Sequence, residues 1–291
     1  MDKLVEKTVR DIKSLKIQGA RNIALAALDA LNHVASKKGF GREFEQAADA
    51  LEKSRTTAVP LYNVLKIAKT QKDAKTMDEL KKFFEISGVR TAQNGASLIK
   101  NNMTIITHCH SSEAVLVMKL AKKAGKKFRV IVTETRPKMQ GLKTAKELVS
   151  AKIPVEYVVD SAAGYYFSAQ PDKPEIKDLG GKDAKNKGMK IFLVGCDSIR
   201  PEGIYNKIGT YLMAIACYEN NIPVYFIGDS FKIDMRKSIE VEMREEKEII
   251  APRLLKGAKV LNPAFDCTPW LFVSGVVTER GIFRNWRALN K

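Results

Sequence analysis

From residue 101 onward the chain sets short, β-branched apolar runs between helical stretches, and this rhythm constrains the fold more than any other feature. The runs are MTIIT (103–107), FRVIVT (128–133), VEYVV (155–159), KIFLVG (190–195), VYFIG (224–228) and VSGVVT (273–278). Between several of them, residues 112–124, 140–151 and 207–220 carry apolar side chains at helical spacing. Strands alternating with helices predict a parallel sheet covered on both faces and joined by right-handed crossovers. An α/β domain over residues 101–291 follows. Residues 168–189 break the rhythm, being polar, lysine-rich and interrupted by Pro and Gly, so they are expected to form a mobile surface insertion. Their GGK lacks the GxxxxGK[ST] frame of a nucleotide-binding P-loop.

Residues 1–100 read as a helical domain. Stretches such as RNIALAALDALNHVASKK and MDELKKFFEISGVRTAQNGASLIK are amphipathic, punctuated by Gly19, Gly39, Gly41 and Pro60. No apolar run reaches the ~20 residues that span a bilayer, and the opening MDKLVEKTVRDIKSLK is mixed in charge, unlike a secretory signal. A cytoplasmic chain without membrane association is expected. Its four cysteines (109, 196, 217 and 267) lack CxxC spacing and fit reduced thiols. The net charge of +17 comes from dispersed lysines with no basic–aromatic interleaving. It therefore favours a solvated basic surface, or a phosphate-rich small substrate, over nucleic acid.

In an open α/β sheet, ligands bind outside the carboxyl ends of the strands, which makes the residues just past each run the functional candidates. The runs end at His108–Cys109–His110, Thr133–Glu134–Thr135–Arg136, Asp160, Cys196–Asp197 and Asp229–Ser230. For Asp160 and Asp229 the simpler reading is a cap on the following helix. Three metal-ligating residues in a row at 108–110 do not make a metal site. In an extended segment Cys109 faces away from both histidines, a structural zinc needs four converging ligands, and the only other histidine is His33. No metal is expected. A lone cysteine in an apolar run is most often an inert small hydrophobe, but Cys109 sits at a run's end shortly before two serines that can open a helix, whose N–H groups and dipole can bind phosphate and lower a thiol pKa.

The ordered motifs THCHSS, VTETRPKMQG, VVDSAA, VGCDSI, NKIGTY, NPAFDCTP and TERGI, spread over residues 107–282, resemble archaeal ribose-1,5-bisphosphate isomerases. IQGARNIA (17–24) and SRTTAVPLYN (54–63) extend the similarity into the helical part. That family shares a superfamily with methylthioribose-1-phosphate isomerases and the alpha, beta and delta subunits of translation initiation factor 2B. The resemblance implies a Rossmann-like parallel sheet domain preceded by an N-terminal helical domain. It also implies conversion of ribose 1,5-bisphosphate to ribulose 1,5-bisphosphate in archaeal AMP and nucleotide salvage, with no cofactor, by a homo-oligomer of dimers that often reaches a hexamer. Cys109 is then the proton acceptor and Asp197 the proton donor. The implied substrate contacts are Gly19, Ala20, Arg21, Arg55, His110, Ser111, Ser112, Asn206, Lys207 and Lys232. Three positions depart from the family pattern: Gln18 replaces an arginine, Ser112 a lysine, and Asp229 the first acidic residue of an E-[ST]-[YF]-K-F segment. Two other readings remain: a non-catalytic regulatory subunit of the initiation factor 2B type, partnered by initiation factor 2, and a methylthioribose-1-phosphate isomerase.

Overall fold

The computed structural model describes the chain except residues 15, 18, 169–187, 238–241, 256 and 291. Gln18 and nearly all of the expected insertion at 168–189 thus lie outside the described residues. The chain forms two compact units, Met1–Ser87 with Phe231–Glu240, and Gly88–Ser230 with Val241–Lys291. The sequence reading drew its boundary at residue 100; by compactness the chain parts inside a helix at residues 87 and 88, and a short excursion near residue 231 groups with the helices.

The first unit is built from α1 (Lys3–Lys13), α2 (Ala20–Lys38), α3 (Arg42–Glu52), α4 (Val59–Gln71) and the first half of α5 (Ala74–Ala96). Asp2 caps α1 by accepting the Leu4 N–H at 2.8 Å. Pro60 sits in the first turn of α4, where its missing N–H would have had no helical partner. The apolar stripes meet in a core that fully buries Leu28, Leu31, Phe44, Leu51, Leu65 and Phe84. Each such side chain contributes about 1.5–3 kcal/mol on burial. The excursion is pinned to this core. Phe231 packs its ring 4.7 Å from that of Phe83 and 5.1 Å from that of Phe84. Asn63 Nδ2 donates to the carbonyls of Phe231 (2.7 Å) and Ile233 (2.9 Å).

The second unit runs β1 (Thr104–Thr107), α6 (Ser112–Lys123), β2 (Arg129–Thr133), α7 (Gly141–Ser150), β3 (Val155–Val158) and α8 (Ala163–Phe167). It continues through β4 (Lys190–Gly195), β5 (Ser198–Ile199), β6 (Gly203–Lys207), α9 (Thr210–Glu219), β7 (Val224–Ile227), β8 (Phe265–Pro269), β9 (Gly275–Thr278), β10 (Gly281–Phe283) and α10 (Trp286–Leu289). The main sheet has the order β10-β9-β7-β4-β1-β2-β3. It is parallel throughout except for the β10 edge, which pairs antiparallel with β9. All six apolar runs became strands of this sheet, so the α/β expectation holds. The fully buried β1 (TIIT, four buried residues in a row) is what a central parallel strand requires.

A second, three-stranded sheet, β5-β6-β8, was not expected. Its strands GIYNK and FDCTP carry Gly, Asn, Lys, Asp and Pro, which hide strand character. For the same reason the helix expected at 207–220 begins later, at Thr210, and Asn206 and Lys207 lie in β6. Among the described residues no helix is long and apolar enough to cross a membrane.

Strand order reverses at β1. The chain leaves β1 to form β2 and β3 on one side and returns to form β4 and β7 on the other. The carboxyl ends of β1 and β4 therefore flank the topological switch point, where such sheets open a ligand crevice.

Candidate active site

Cys109 follows β1 by two residues and Asp197 follows β4 by two, so the switch point has a thiol on one lip and a carboxylate on the other. The two are close enough for Asp197 to act electrostatically on the Cys109 thiol. The lips also touch. A Cβ on Gly195 would lie 2.5 Å from Ser111 Cβ, so glycine is required where the end of β4 meets the start of α6.

The backbone at Cys109 is not extended. Its φ of 66° is in the left-handed region, which a non-glycine residue adopts only where surroundings enforce it. Those surroundings are two threonines. The Cys109 N–H donates to Thr135 Oγ1 at 2.7 Å, and Thr144 Oγ1 donates to the Cys109 carbonyl at 2.9 Å. Thr135, itself at φ 63° and fully buried, is fixed by Asp160. One oxygen of that carboxylate accepts the Thr135 N–H (2.8 Å) and the other the Arg136 N–H (2.7 Å). Asp160 does bind backbone N–H groups, but those of the β2–α7 loop rather than of its own helix, which corrects the simple capping expectation.

The flanking histidines are occupied separately. A carbonyl only accepts, so His108 donates Nε2–H to the Ile208 carbonyl (2.9 Å). Its Nδ1 then accepts from Thr133 Oγ1 (2.6 Å). Burial lowers the pKa of His108 and keeps the ring neutral. His110 Nδ1 donates to Thr144 Oγ1 (3.1 Å), and its Nε2 lies 3.6 Å from Glu147. Among the described residues no cluster of three or more His, Cys, Asp or Glu could hold a metal ion.

Burial pushes the Cys109 thiol up to about 12; the Lys207 ammonium and the His110 N–H pull it down, while Asp197 and Asp160 add to the rise. The sequence argument expected a lowered value from the helix start. That effect loses because the thiol is desolvated, and desolvation disfavours the thiolate more than the available positive charge favours it. The start of α6 is capped by Ser111, whose Oγ accepts the Ala114 N–H at 3.2 Å. Ser112 opens the helix on the exposed side.

Lys207 completes the cluster in this unit. It ends β6, lays Nζ 4.9 Å over the Phe265 ring, and acts electrostatically on both Cys109 and His108. Asn206, buried beside it, donates from Nδ2 to Thr210 Oγ1 at 3.0 Å. That bond gives it a role at the start of α9. The remaining candidates belong to the helical unit. Gly19 caps α2 at φ 84°, with Ala20 and Arg21 in the first turn. Arg55 lies between α3 and α4, half-buried, and Lys232 is buried in the anchored excursion. Sequence reasoning placed Thr135 at a strand end without giving it a role, and missed Thr144 and Asp266. Asp266 was in plain sight in NPAFDCTP, but its strand was not recognised.

A doubly wound sheet thus gathers a thiol, a carboxylate and a lysine, groups capable of acid–base chemistry, at its switch point. The chain belongs to the initiation factor 2 subunit family, whose pattern matches residues 16–285. It is 37% identical to a Thermococcus kodakarensis protein named ribose 1,5-bisphosphate isomerase, across 99% of this chain and 93% of that one. Other archaeal proteins of that name match over nearly its whole length. A Pyrococcus furiosus protein named putative translation initiation factor eIF-2B subunit 2-like is 33% identical, across 96% of this chain and 95% of that one. Among solved structures, the Pyrococcus horikoshii translation initiation factor eIF-2B superposes with a TM-score of 0.81 at 27% identity, covering 99% of this chain and all of that one.

Proposed function

We propose that the protein is an aldose–ketose isomerase that converts ribose 1,5-bisphosphate to ribulose 1,5-bisphosphate. The observation that carries this reading is the pairing of Cys109 and Asp197 across the switch point beside Lys207. Archaeal relatives bearing that enzyme's name support the choice of substrate.

The chemistry explains why two groups are needed. Phosphate on the C1 oxygen prevents ring opening to a free aldehyde. Asp197 as the acid protonates the ring oxygen while the C1–O ring bond breaks, and the Cys109 thiolate removes the C2 proton. The resulting electrons form the C1=C2 bond of a phosphorylated enol. The Asp197 carboxylate then takes the proton of the 2-hydroxyl as the thiol returns a proton to C1, giving the ketone and resetting both groups. Only protons move, so neither oxidant nor cofactor takes part. The enclosed thiol is a strong base once ionised, and Lys207 offsets part of the cost of forming it. Arg21, Arg55 and Lys232 in the helical unit, with Gly19 and Ala20, serve the phosphates, as do the N–H groups of His110 to Ser112 at the start of α6 and the side chains of Asn206 and Lys207.

Location in the cytoplasm, a place in AMP salvage, and assembly as a dimer or a hexamer of dimers belong to the same proposal. Exposed Leu212, Tyr218 and Leu271 support a self-associating face. The test is incubation with ribose 1,5-bisphosphate: ribulose 1,5-bisphosphate must form, and Cys109→Ser or Asp197→Asn must stop it without unfolding the chain. One observation favours a second reading, the near-full-length match to the eIF-2B subunit 2-like protein. A regulatory subunit would give no product and would copurify with initiation factor 2.

A further inference from the structure

The turn that presents Lys207 is gripped from two sides by residues that the proposed chemistry does not use. On one side is Asp266, placed opposite Asn206 by the β6–β8 register. One carboxylate oxygen accepts the Gly209 N–H at 2.7 Å and the other accepts the Tyr211 N–H at 3.2 Å. These are the N-cap residue and a first-turn residue of α9, so the carboxylate caps the helix from another strand. On the other side is His108, whose Nε2–H holds the Ile208 carbonyl. Gly209, between the two grips, sits at φ 100°, and a Cβ there would lie 3.4 Å from His108 Nε2. Asp266 is half-buried, and a carboxylate withdrawn from water is costly unless its acceptors are used. Burial raises the Asp266 pKa to about 6, while the two N–H donors pull it back. A surface loop would need no such arrangement. The residue it immobilises is the lysine that lowers the Cys109 thiol pKa.

We infer that Asp266 and His108 are positioning residues, which clamp the Ile208–Gly209 turn so that the Lys207 ammonium is held at the Cys109 thiol. The inference rests on the reading of Cys109 as the reacting group. It is testable without turnover, because alkylation of Cys109 by iodoacetamide reports its ionisation directly.

The experiment measures Cys109 alkylation by peptide mass mapping, which separates it from Cys267, in the full chain at pH 8.5. Lys207→Met sets the scale: a rise of one unit in thiol pKa cuts the thiolate fraction about tenfold, offset in part by the greater nucleophilicity of the more basic thiolate. Asp266→Asn, His108→Phe and Gly209→Ala should each slow alkylation about 3- to 10-fold. His108→Gln, which keeps an N–H for the Ile208 carbonyl, should restore most of the rate lost in His108→Phe. In the Lys207→Met background the same substitutions should have no further effect, as expected when residues act through one group. Equal slowing in both backgrounds would overturn the inference. So would unchanged or faster alkylation in the single variants, because a merely loosened loop exposes the thiol. If Asp266→Asn fails to fold by circular dichroism, Gly209→Ala decides, since it disturbs the same turn without altering a charge. Wild-type protein that is alkylated as described but makes no ribulose 1,5-bisphosphate would refute the isomerase and leave the clamp standing.

Discussion

The helical unit and the sheet unit bury their polar groups differently. In the helical unit the core is almost wholly apolar, and its buried charged residues, Lys232 and Asp234, lie in the excursion pinned by Asn63 and Phe231. In the sheet unit the carboxyl edge buries His108, Thr133, Thr135, Thr144, Asn206 and Asp229, several of them bonded to one another or to the Cys109 backbone. Under the proposed function, the difference separates two tasks. Cations that hold phosphate need a firm base and access to an anion. Groups that exchange protons with carbon need enforced geometry and dehydration, and hence a bonded polar network.

The sharpest way to break this comparison is to remove the proton-moving groups. Cys109→Ser and Asp197→Asn should each lower kcat by about 10²- to 10⁴-fold while leaving the melting temperature nearly unchanged. Next in size is an attack on the apolar scaffold. Phe84→Ala should destabilise the protein by about 3–5 kcal/mol in a denaturant titration. It should also raise KM for the bisphosphate, because Phe84 packs on Phe231 next to Lys232. A scaffold variant that lowered kcat and left stability intact would contradict the division of tasks.

The enclosed thiol sets a pH dependence. With its ionisation raised to about 12, the thiolate fraction rises about tenfold for each pH unit from 7 to 9. The rate of Cys109 alkylation by iodoacetamide should rise over the same range. The stability effect has the opposite sign. The unfolded chain releases this proton near 9 and the native chain retains it to about 12, so the contribution is complete below pH 9 and is lost as pH rises toward 12. Chemical denaturation at pH 7 and pH 10.5, compared for wild type and Cys109→Ala, checks it. The smallest effect is at the phosphate contacts. Lys232→Met or Arg55→Met should raise KM about tenfold, with kcat reduced less, in steady-state assays, as for loss of one charge-assisted hydrogen bond.

Much of this architecture was legible in the sequence because it depends on local periodicity. The six apolar runs give the main sheet, and reading each run to its end puts Cys109 and Asp197 on one edge before any coordinates are known. What escaped depends on contacts between residues distant in the chain. β6 and β8 support each other as strands, so GIYNK and FDCTP carry no signal singly, and Asp266 was overlooked with them. The left-handed backbone at Cys109 is enforced by Thr135 and Thr144, 26 and 35 residues away. The thiol pKa went the wrong way because sequence shows the helix start that would lower it but not the burial that raises it.

The account stands on Cys109 and Asp197 as the pair that moves protons across the switch point. Phosphorus NMR of ribose 1,5-bisphosphate incubated with wild type, Cys109→Ser and Asp197→Asn tests it most directly. The predicted result is conversion to ribulose 1,5-bisphosphate by wild type alone, with all three proteins folded. Absence of product with wild type, or undiminished product with either variant, would contradict it.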